Sequence, residues 1–154
     1  MPLSDLLPQD AVLPALRVNS KKQALQEIAE HAAALTGVGE REIYDTLLQR
    51  ERLGSTGVGN GIAIPHGKLA KFNHIFGLFA RLERPIDFEA LDGQPVDLIF
   101  LLLAPESAGA DHLRALSRIA RMLRDPAIVQ KLRATRDSAG LHAILCDKPA
   151  SHAA

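Results

Sequence analysis

Residues 54–68 read Gly-Ser-Thr-Gly-Val-Gly-Asn-Gly-Ile-Ala-Ile-Pro-His-Gly-Lys, a glycine-rich loop that leads into a short apolar run. Glycine permits the positive φ and the close backbone approach that a tight loop needs. Pro65 ends the apolar run, because proline donates no backbone N–H and does not continue the interior of a sheet. The pattern predicts that His66 lies at a strand end, beside a nest of loop N–H groups able to hold an anion such as phosphate.

The same stretch carries a resemblance to a known family. Residues 54–68 closely resemble the phosphorylation motif of the IIA proteins of the phosphoenolpyruvate phosphotransferase system, and most of all the nitrogen-regulatory branch of its fructose/mannitol-type IIA family. The resemblance extends roughly from Leu3 to Cys146, and it includes Pro85-Ile-Asp-Phe88, Gln94-Pro-Val-Asp97 and the pair His112-Leu113. It implies an α/β fold with a single type-2 IIA domain, in which helices flank a mixed central β-sheet.

Length, composition and charge limit the class of protein. A chain of 154 residues predicts one domain with its own core, and we expect that core over about residues 3–146 and a flexible tail over 147–154. Eighteen basic and eighteen acidic side chains cancel, so we expect no nucleic-acid partner and no attraction to an anionic membrane. The apolar runs are too short for membrane insertion and no export signal opens the chain. The one cysteine, Cys146, fits a reducing compartment, so a cytoplasmic location is expected.

Two helices are predicted before the glycine-rich loop. Asn19 or Ser20 caps the first, and Gly37 ends it. The second is predicted over about Glu40–Arg52. Arg50 therefore lies in the last turn of the second helix, immediately before the loop.

Strands are predicted mainly after the loop. Two nearly continuous apolar runs, Ile75–Leu82 and Val96–Leu103, indicate strands covered on both faces. A helix should follow the second run, and its predicted buried stripe comprises Leu113, Leu116, Ala120 and Leu123. Residues 1–14, which contain three prolines, are expected to be irregular. Periodicity does not define the order of the strands.

His66 is the predicted phosphoryl acceptor. Neutral imidazole is nucleophilic near pH 7, and because its phosphorus–nitrogen bond is labile it can both accept the group and release it. A lone histidine at a strand end more often only fills a turn, but the motif around His66 favours phosphorylation. The resemblance implies that the phosphoryl group is carried on the Nε2 atom, as a tele-phosphohistidine.

Two further side chains are predicted to complete the catalytic site. His112 lies at the start of a helix, where the partial positive charge favours a phosphate, and in the resembling family a histidine at this position neighbours the phosphorylated one. The alternative for His112 is a capping or surface histidine. Arg50 would balance the phosphoryl charge with a planar, permanently charged fork. Arg52 competes for that role, and the resemblance favours Arg50.

The other loop residues are predicted to shape the site or to touch phosphate. They are Ser55, Thr56, Gly59, Asn60 and Gly67. The alternative is that they only stabilise turns through side-chain-to-backbone hydrogen bonds. No histidine spacing typical of a metal site occurs, and the glycines match neither the dinucleotide fingerprint nor the P-loop, so neither a metal nor a cofactor is expected.

The leading hypothesis is a phosphocarrier that receives a phosphoryl group on His66 from a histidine-phosphorylated, HPr-like carrier. The resemblance implies that the donor is the nitrogen-branch paralogue of HPr (NPr). It also implies that the phosphorylation state regulates target proteins such as potassium-transport or sensor-kinase components.

Other functions are possible on the same residues. A fructose- or mannitol-type IIA protein would instead pass the group to a IIB domain. Such proteins are often fused to IIB or membrane segments, and the 154 residues contain neither, so regulation is expected. A binding module without phosphotransfer is disfavoured because Arg50, His66 and His112 are all present. A metal-dependent hydrolase is disfavoured because the sequence offers no set of ligands.

Overall fold

The computed structural model describes residues 2–146, so the tail predicted over 147–154 lies outside the described part of the chain. Helices flank one mixed β-sheet, as the sequence and the resemblance imply. In chain order the strands and α-helices are β1 Val12–Leu16, α1 Lys21–Thr36, α2 Glu40–Arg52, β2 Gly57–Gly59, β3 Ile62–Ala63, β4 His66–Leu69, β5 Phe76–Ile86, β6 Val96–Pro105, α3 Ala110–Met122, α4 Pro126–Ala134 and α5 Ser138–Cys146.

The sheet is built around strand β6. The strand order is β1-β5-β6-β3-β2, and β4 also pairs with β6. Strand β5 is antiparallel to β6, whereas β3 and β4 run parallel to it along its other edge. Ile62 pairs with Leu98, and His66 pairs with Leu102. The peptide that carries His66 is therefore held against a strand in which nine of ten residues are buried.

The two helices that precede the loop form where the sequence predicts them. Ser20 is the N-cap of α1, because its Oγ accepts a hydrogen bond from the backbone N–H of Gln23 at 3.1 Å. Gly37, with φ +78°, ends that helix in the left-handed conformation. Helix α2 has the predicted bounds, and Arg50 lies in its last turn.

The prediction that residues 1–14 are irregular is wrong in part. Two 3₁₀ helices, Leu3–Asp5 and Gln9–Ala11, precede β1, which begins at Val12 and includes Pro14. Proline argued against a strand here. However, β1 pairs with β5 alone and forms one edge of the sheet, where a missing N–H costs no ladder hydrogen bond.

The predicted buried stripe of α3 is confirmed only in part: Leu123 is buried and Leu116 and Ala120 are partly buried against the core, but Leu113 is not. The buried residues of the helix are His112, Ala115 and Ile119, while Leu113 remains 65% exposed. Over most of the helix the buried positions therefore precede the predicted ones by one residue. The observed rotation brings His112, instead of Leu113, into the protein.

The turn between β2 and β3 is fixed to helix α4 by Arg133. Its guanidinium donates to both carboxylate oxygens of Asp97, each at 2.9 Å, and to the backbone carbonyl of Asn60 at 2.7 Å. The backbone of Gly61, next to this contact, has φ +81°. A Cβ atom at Gly61 would lie 2.3 Å from the Arg133 Nη2 atom. The turn therefore requires glycine for its conformation and for its lack of a side chain.

Gly61→Ala should destabilise the fold more than Gly93→Ala, measured as free energies of unfolding in urea. Both glycines have positive φ, but no atom lies within 4 Å of a Cβ at Gly93. The control Gly93→Ala should cost about 1–2 kcal/mol from backbone conformation alone. Gly61→Ala should cost about 1 kcal/mol more, because it also displaces the half-exposed Arg133–Asp97 pair. Equal losses would show that the Arg133 contact does not hold the turn.

Candidate functional site

His66 begins strand β4, with its ring half-buried and both nitrogens in contact with other groups. Its Nδ1 lies 2.8 Å from the carbonyl oxygen of Ile64, and its Nε2 lies 3.3 Å from the Nε of Arg50. A carbonyl oxygen only accepts hydrogen bonds, so this network assigns the proton to Nδ1. Nε2 then carries the lone pair, which accepts from the arginine. The hydrogen bonds thus present Nε2 as the nucleophilic nitrogen.

Arg50 reaches His66 from the last turn of α2. Its Nη1 also donates to the carbonyl of Gly54 at 2.9 Å, which holds the side chain over the end of the helix. Arg52, the alternative to Arg50, is exposed and lines a cleft beside α1 instead. The structure therefore brings Arg50, and not Arg52, to the histidine.

Gly67 allows α2 to approach β4. A Cβ atom at Gly67 would lie 2.6 Å from the Cγ2 atom of Thr46, far inside an ordinary contact distance. The glycine thus contributes to the site through close packing between the helix and the strand, and this packing determines how near Arg50 can come to His66.

His112 lies next to His66, with 5.8 Å between the two ring centroids. It belongs to the first turn of α3 and is buried, while Gly109 is the N-cap of that helix. The two alternatives for this residue, a capping or a surface histidine, are therefore wrong. The Nδ1 atom of His112 is buried and has no hydrogen-bond partner among residues 2–146.

The remaining loop residues do not form the predicted anion nest beside His66. Asn60 donates its backbone N–H to Asp92 at 3.0 Å, in the turn before β3. Ile62 and His66 are four residues apart along β6, which corresponds to about 13 Å, and Asn60 lies beyond Ile62. Gly59 also faces Asp92. The glycine run builds a hairpin turn, so the assignment of Gly59 and Asn60 to phosphate binding is wrong.

Ser55 and Thr56 are engaged by protein groups. The hydroxyl of Ser55 donates to the carbonyl of Phe88 at 2.8 Å and accepts from the N–H of Gly57 at 3.0 Å. Thr56 is buried, and both its backbone N–H and its hydroxyl donate to the carboxylate of Glu51. These contacts correspond to the turn-stabilising alternative for both residues.

Sequence reasoning missed Glu51, which is buried directly after Arg50. Its side chain also forms an ion pair with Lys21, at 3.0 Å between Nζ and Oε1. A signal was present, because Ile43, Leu47 and Glu51 recur at intervals of four residues on the buried face of α2. A charged residue in the buried phase of a helix indicates a paired group.

Burial determines the protonation state of both site histidines. It lowers the pKa of His66, and the charge of Arg50 lowers it further, while the hydrogen bond to Ile64 and the Glu51 carboxylate act in the opposite direction. Burial also lowers the pKa of His112, with further contributions from His66 and Lys68. Both rings are therefore neutral at pH 7, and Arg50 and Lys68 supply positive charge around them.

Residues 2–146 contain neither a cluster of metal-binding side chains nor a membrane-spanning helix. No group of three or more His, Cys, Asp or Glu side chains there is placed to hold a metal ion. No helix in that range combines the length and the apolar character needed to cross a membrane.

Known proteins resemble the chain over nearly its whole length. The sequence profile of the family described as "Phosphoenolpyruvate-dependent sugar phosphotransferase system, EIIA 2" matches residues 5–148. The nitrogen regulatory protein of Bradyrhizobium diazoefficiens is 65% identical over 153 residues, which cover 99% of this chain and 100% of that protein. The crystal structure of nitrogen regulatory protein IIA-Ntr from Neisseria meningitidis matches with a TM-score of 0.89 at 36% identity, over 93% of this chain and 98% of that one. IIA mannitol from Escherichia coli shares the fold, with a TM-score of 0.75 at 19% identity over 90% and 97% of the two chains.

The His66 imidazole should titrate below 6.5 in the folded protein, because burial disfavours its charged form. As the pH is lowered, the unfolded chain therefore takes up a proton at this residue before the folded protein does. The free energy of unfolding is retained above pH 6.5 and falls as the pH drops from 6.5 toward the lowered pKa. ¹⁵N-detected NMR of the histidine rings measures both the pKa and the tautomer, and the urea-unfolded protein provides the reference titration. A midpoint at or above the unfolded value, or a proton on Nε2, would contradict the assigned hydrogen bonds.

Proposed function

We propose that His66 accepts a phosphoryl group from a carrier protein, because the chain belongs to the EIIA 2 family of the phosphoenolpyruvate-dependent sugar phosphotransferase system. Its similarity to nitrogen regulatory proteins supports the same role. The observation that carries this proposal is the arrangement of the His66 ring. Its Nδ1 proton is held by the Ile64 carbonyl, and its Nε2 lone pair faces Arg50. The proposed carrier domain comprises about residues 3–146, in a cytoplasmic protein.

The proposed reaction transfers the group between two imidazoles. The Nε2 lone pair of His66 attacks the phosphorus atom of a phosphohistidine on the donor, and a new phosphorus–nitrogen bond forms. The donor imidazole leaves with the electron pair of the broken phosphorus–nitrogen bond, and His66 keeps its Nδ1 proton throughout. No metal or general base is required, because a neutral imidazole is both a nucleophile and a leaving group. Catalysis then depends on positioning and on charge compensation.

Arg50 supplies the compensating charge. Its guanidinium donates to Nε2 while the lone pair is free. When that lone pair forms the bond to phosphorus, the same N–H group can turn to a phosphoryl oxygen, where an arginine fork binds strongly. Lys68, which lies close enough to influence the pKa of His112, adds positive charge at the rim.

His112 is proposed to donate a hydrogen bond to the phosphoryl group. Its Nδ1 is buried without a partner, and a buried N–H without an acceptor is more costly than an unused lone pair. The proton is therefore expected on Nε2, as a donor next to His66. The ring also lies in the first turn of α3, where the helix dipole favours a bound anion.

The proposed donor is the HPr-like carrier of the nitrogen branch, NPr, and the proposed output is regulation of target proteins by the phosphorylation state of His66. The 65% identity to a nitrogen regulatory protein supports this branch over sugar transport. Potassium-transport and sensor-kinase components are the proposed kinds of target. The alternative is transfer from ordinary HPr and onward to a IIB domain.

Intact-mass analysis tests this proposal. Wild-type protein and His66→Ala are incubated with phosphoenolpyruvate, enzyme I and either NPr or HPr. We expect one acid-labile phosphoryl group on the wild type with NPr and none on His66→Ala, because the variant lacks the nucleophile. His74→Ala is the matched control, since His74 is an exposed histidine outside the site.

The other outcomes of this experiment have distinct meanings. Labelling of the wild type by HPr alone would place the protein in sugar transport. Full labelling of His66→Ala would exclude His66 as the acceptor. No labelling by either donor would overturn phosphotransfer altogether.

A further inference from the structure

Glu51 is a carboxylate held inside the protein. Only 3% of its side-chain surface is exposed, and a buried charge is stable only when it is paired and hydrogen-bonded. Lys21 supplies the opposite charge at 3.0 Å, and the backbone N–H of Thr56 donates at 3.0 Å. The hydroxyl of Thr56 donates to the other carboxylate oxygen. Both oxygens of Glu51 are therefore bound, by groups from two different parts of the chain.

Lys21 is itself fixed where it meets Glu51. It lies in the first turn of α1, and its Nζ stands 4.9 Å from the ring centroid of Phe88, a cation–π contact. Its second carboxylate partner, Glu89, is 3.4 Å away and mostly exposed. The ammonium group is thus held between an aromatic ring and two carboxylates, of which only Glu51 is buried.

A short chain of hydrogen bonds connects Glu51 to the imidazole of His66. Thr56, which Glu51 binds, accepts at its backbone carbonyl from the N–H of Ile64 at 3.0 Å. The carbonyl of Ile64 accepts from Nδ1 of His66 at 2.8 Å. Glu51 also directly follows Arg50, the residue that contacts Nε2. Glu51 is thus connected through hydrogen bonds to one nitrogen of the ring, and it is the chain neighbour of the arginine that contacts the other.

We propose that Glu51 is the positioning residue of this site, because it ties the end of α2 to the segment before His66 and so sets the tautomer of the ring and its alignment with Arg50. The inference rests on the proposed function of His66 as the phosphoryl acceptor. Glu51 does not touch the reacting atoms. It acts through Thr56 and Ile64 on one side and through its neighbour Arg50 on the other.

Alignment of this kind has a large effect on transfer. A displacement of about 1 Å in a reacting group can slow a reaction by about 100-fold. The Glu51 carboxylate also acts on the ring through its charge, since it raises the pKa of His66 against the opposing effect of Arg50. Loss of that charge should therefore lower the pKa of His66 further. The lost charge alone would produce this change, so the tautomer of the ring and the rate of transfer are the readouts that report on positioning.

The test compares Glu51→Gln with Glu89→Gln. Both replace a carboxylate that contacts Lys21 by an amide of the same size, but only Glu51 also binds Thr56. The full-length proteins are assayed for the rate of phosphoryl transfer from NPr, and the histidine rings are titrated by ¹⁵N NMR in the unphosphorylated state. Urea unfolding confirms that each variant is folded under the assay conditions.

We expect Glu51→Gln to slow transfer by about tenfold or more and to populate the tautomer of His66 with its proton on Nε2, because the ring loses its support. The loss of a nearby negative charge should also lower the pKa of His66. Glu89→Gln should change none of these quantities. A Glu51→Gln protein with the wild-type rate and the wild-type tautomer, whatever its pKa, or equal effects of the two variants on the rate, would overturn the proposal.

Thr56 provides a second test that does not depend on the stability of Glu51→Gln. Thr56→Val removes the hydroxyl that donates to Glu51, whereas Thr56→Ser retains it. Transfer should slow much more in Thr56→Val than in Thr56→Ser, and equal rates would contradict the proposed link.

If the wild type accepts no phosphoryl group at all, the proposed function fails. The tautomer of His66 in these variants would still decide whether Glu51 positions the ring.

Discussion

The hydrogen bond between Nδ1 of His66 and the carbonyl of Ile64 is the contact on which the site depends. An imidazole can react through either nitrogen, and this contact assigns the proton to one of them. Burial then keeps the ring neutral, and Arg50 lies at the nitrogen that remains free. Nucleophilicity, direction of attack and charge compensation thus follow from one oriented ring, and the proposed transfer needs no further reactive group on this chain.

The fold explains how such an orientation is maintained. Strands β3 and β4 run along the same edge of β6, so the peptide on both sides of Pro65 is held by one buried strand. Gly67 lets α2 pack against β4 at short distance, and the first turn of α3 places the His112 ring 5.8 Å from that of His66. Two helices and a strand therefore meet at His66, and each contributes one side chain: Arg50, His66 or His112.

The parts of the structure that follow from local pattern were predictable, and the parts that depend on distant pairing were not. The bounds of α2 and the position of Arg50 follow from periodicity and capping, and the neighbourhood of His66 and His112 was implied by the family resemblance. The glycine run was ambiguous, because the same residues suit an anion nest or a hairpin, and only the contact of Asn60 with Asp92 and Arg133 decides between them. The helix phase indicated that Glu51 is buried, but its charged partner Lys21, 30 residues earlier in the chain, could not be identified from sequence.

In the proposed reaction, Nε2 of His66 carries the phosphoryl group while Nδ1 keeps its proton. Long-range ¹H–¹⁵N spectra of the phosphorylated protein, labelled with ¹⁵N at its histidines, test this claim directly. We expect one phosphorylated ring, that of His66, with phosphorus bonded to Nε2 and a protonated Nδ1 still hydrogen-bonded to Ile64. A phosphoryl group on Nδ1 of His66, or on the ring of His112, would contradict this expectation.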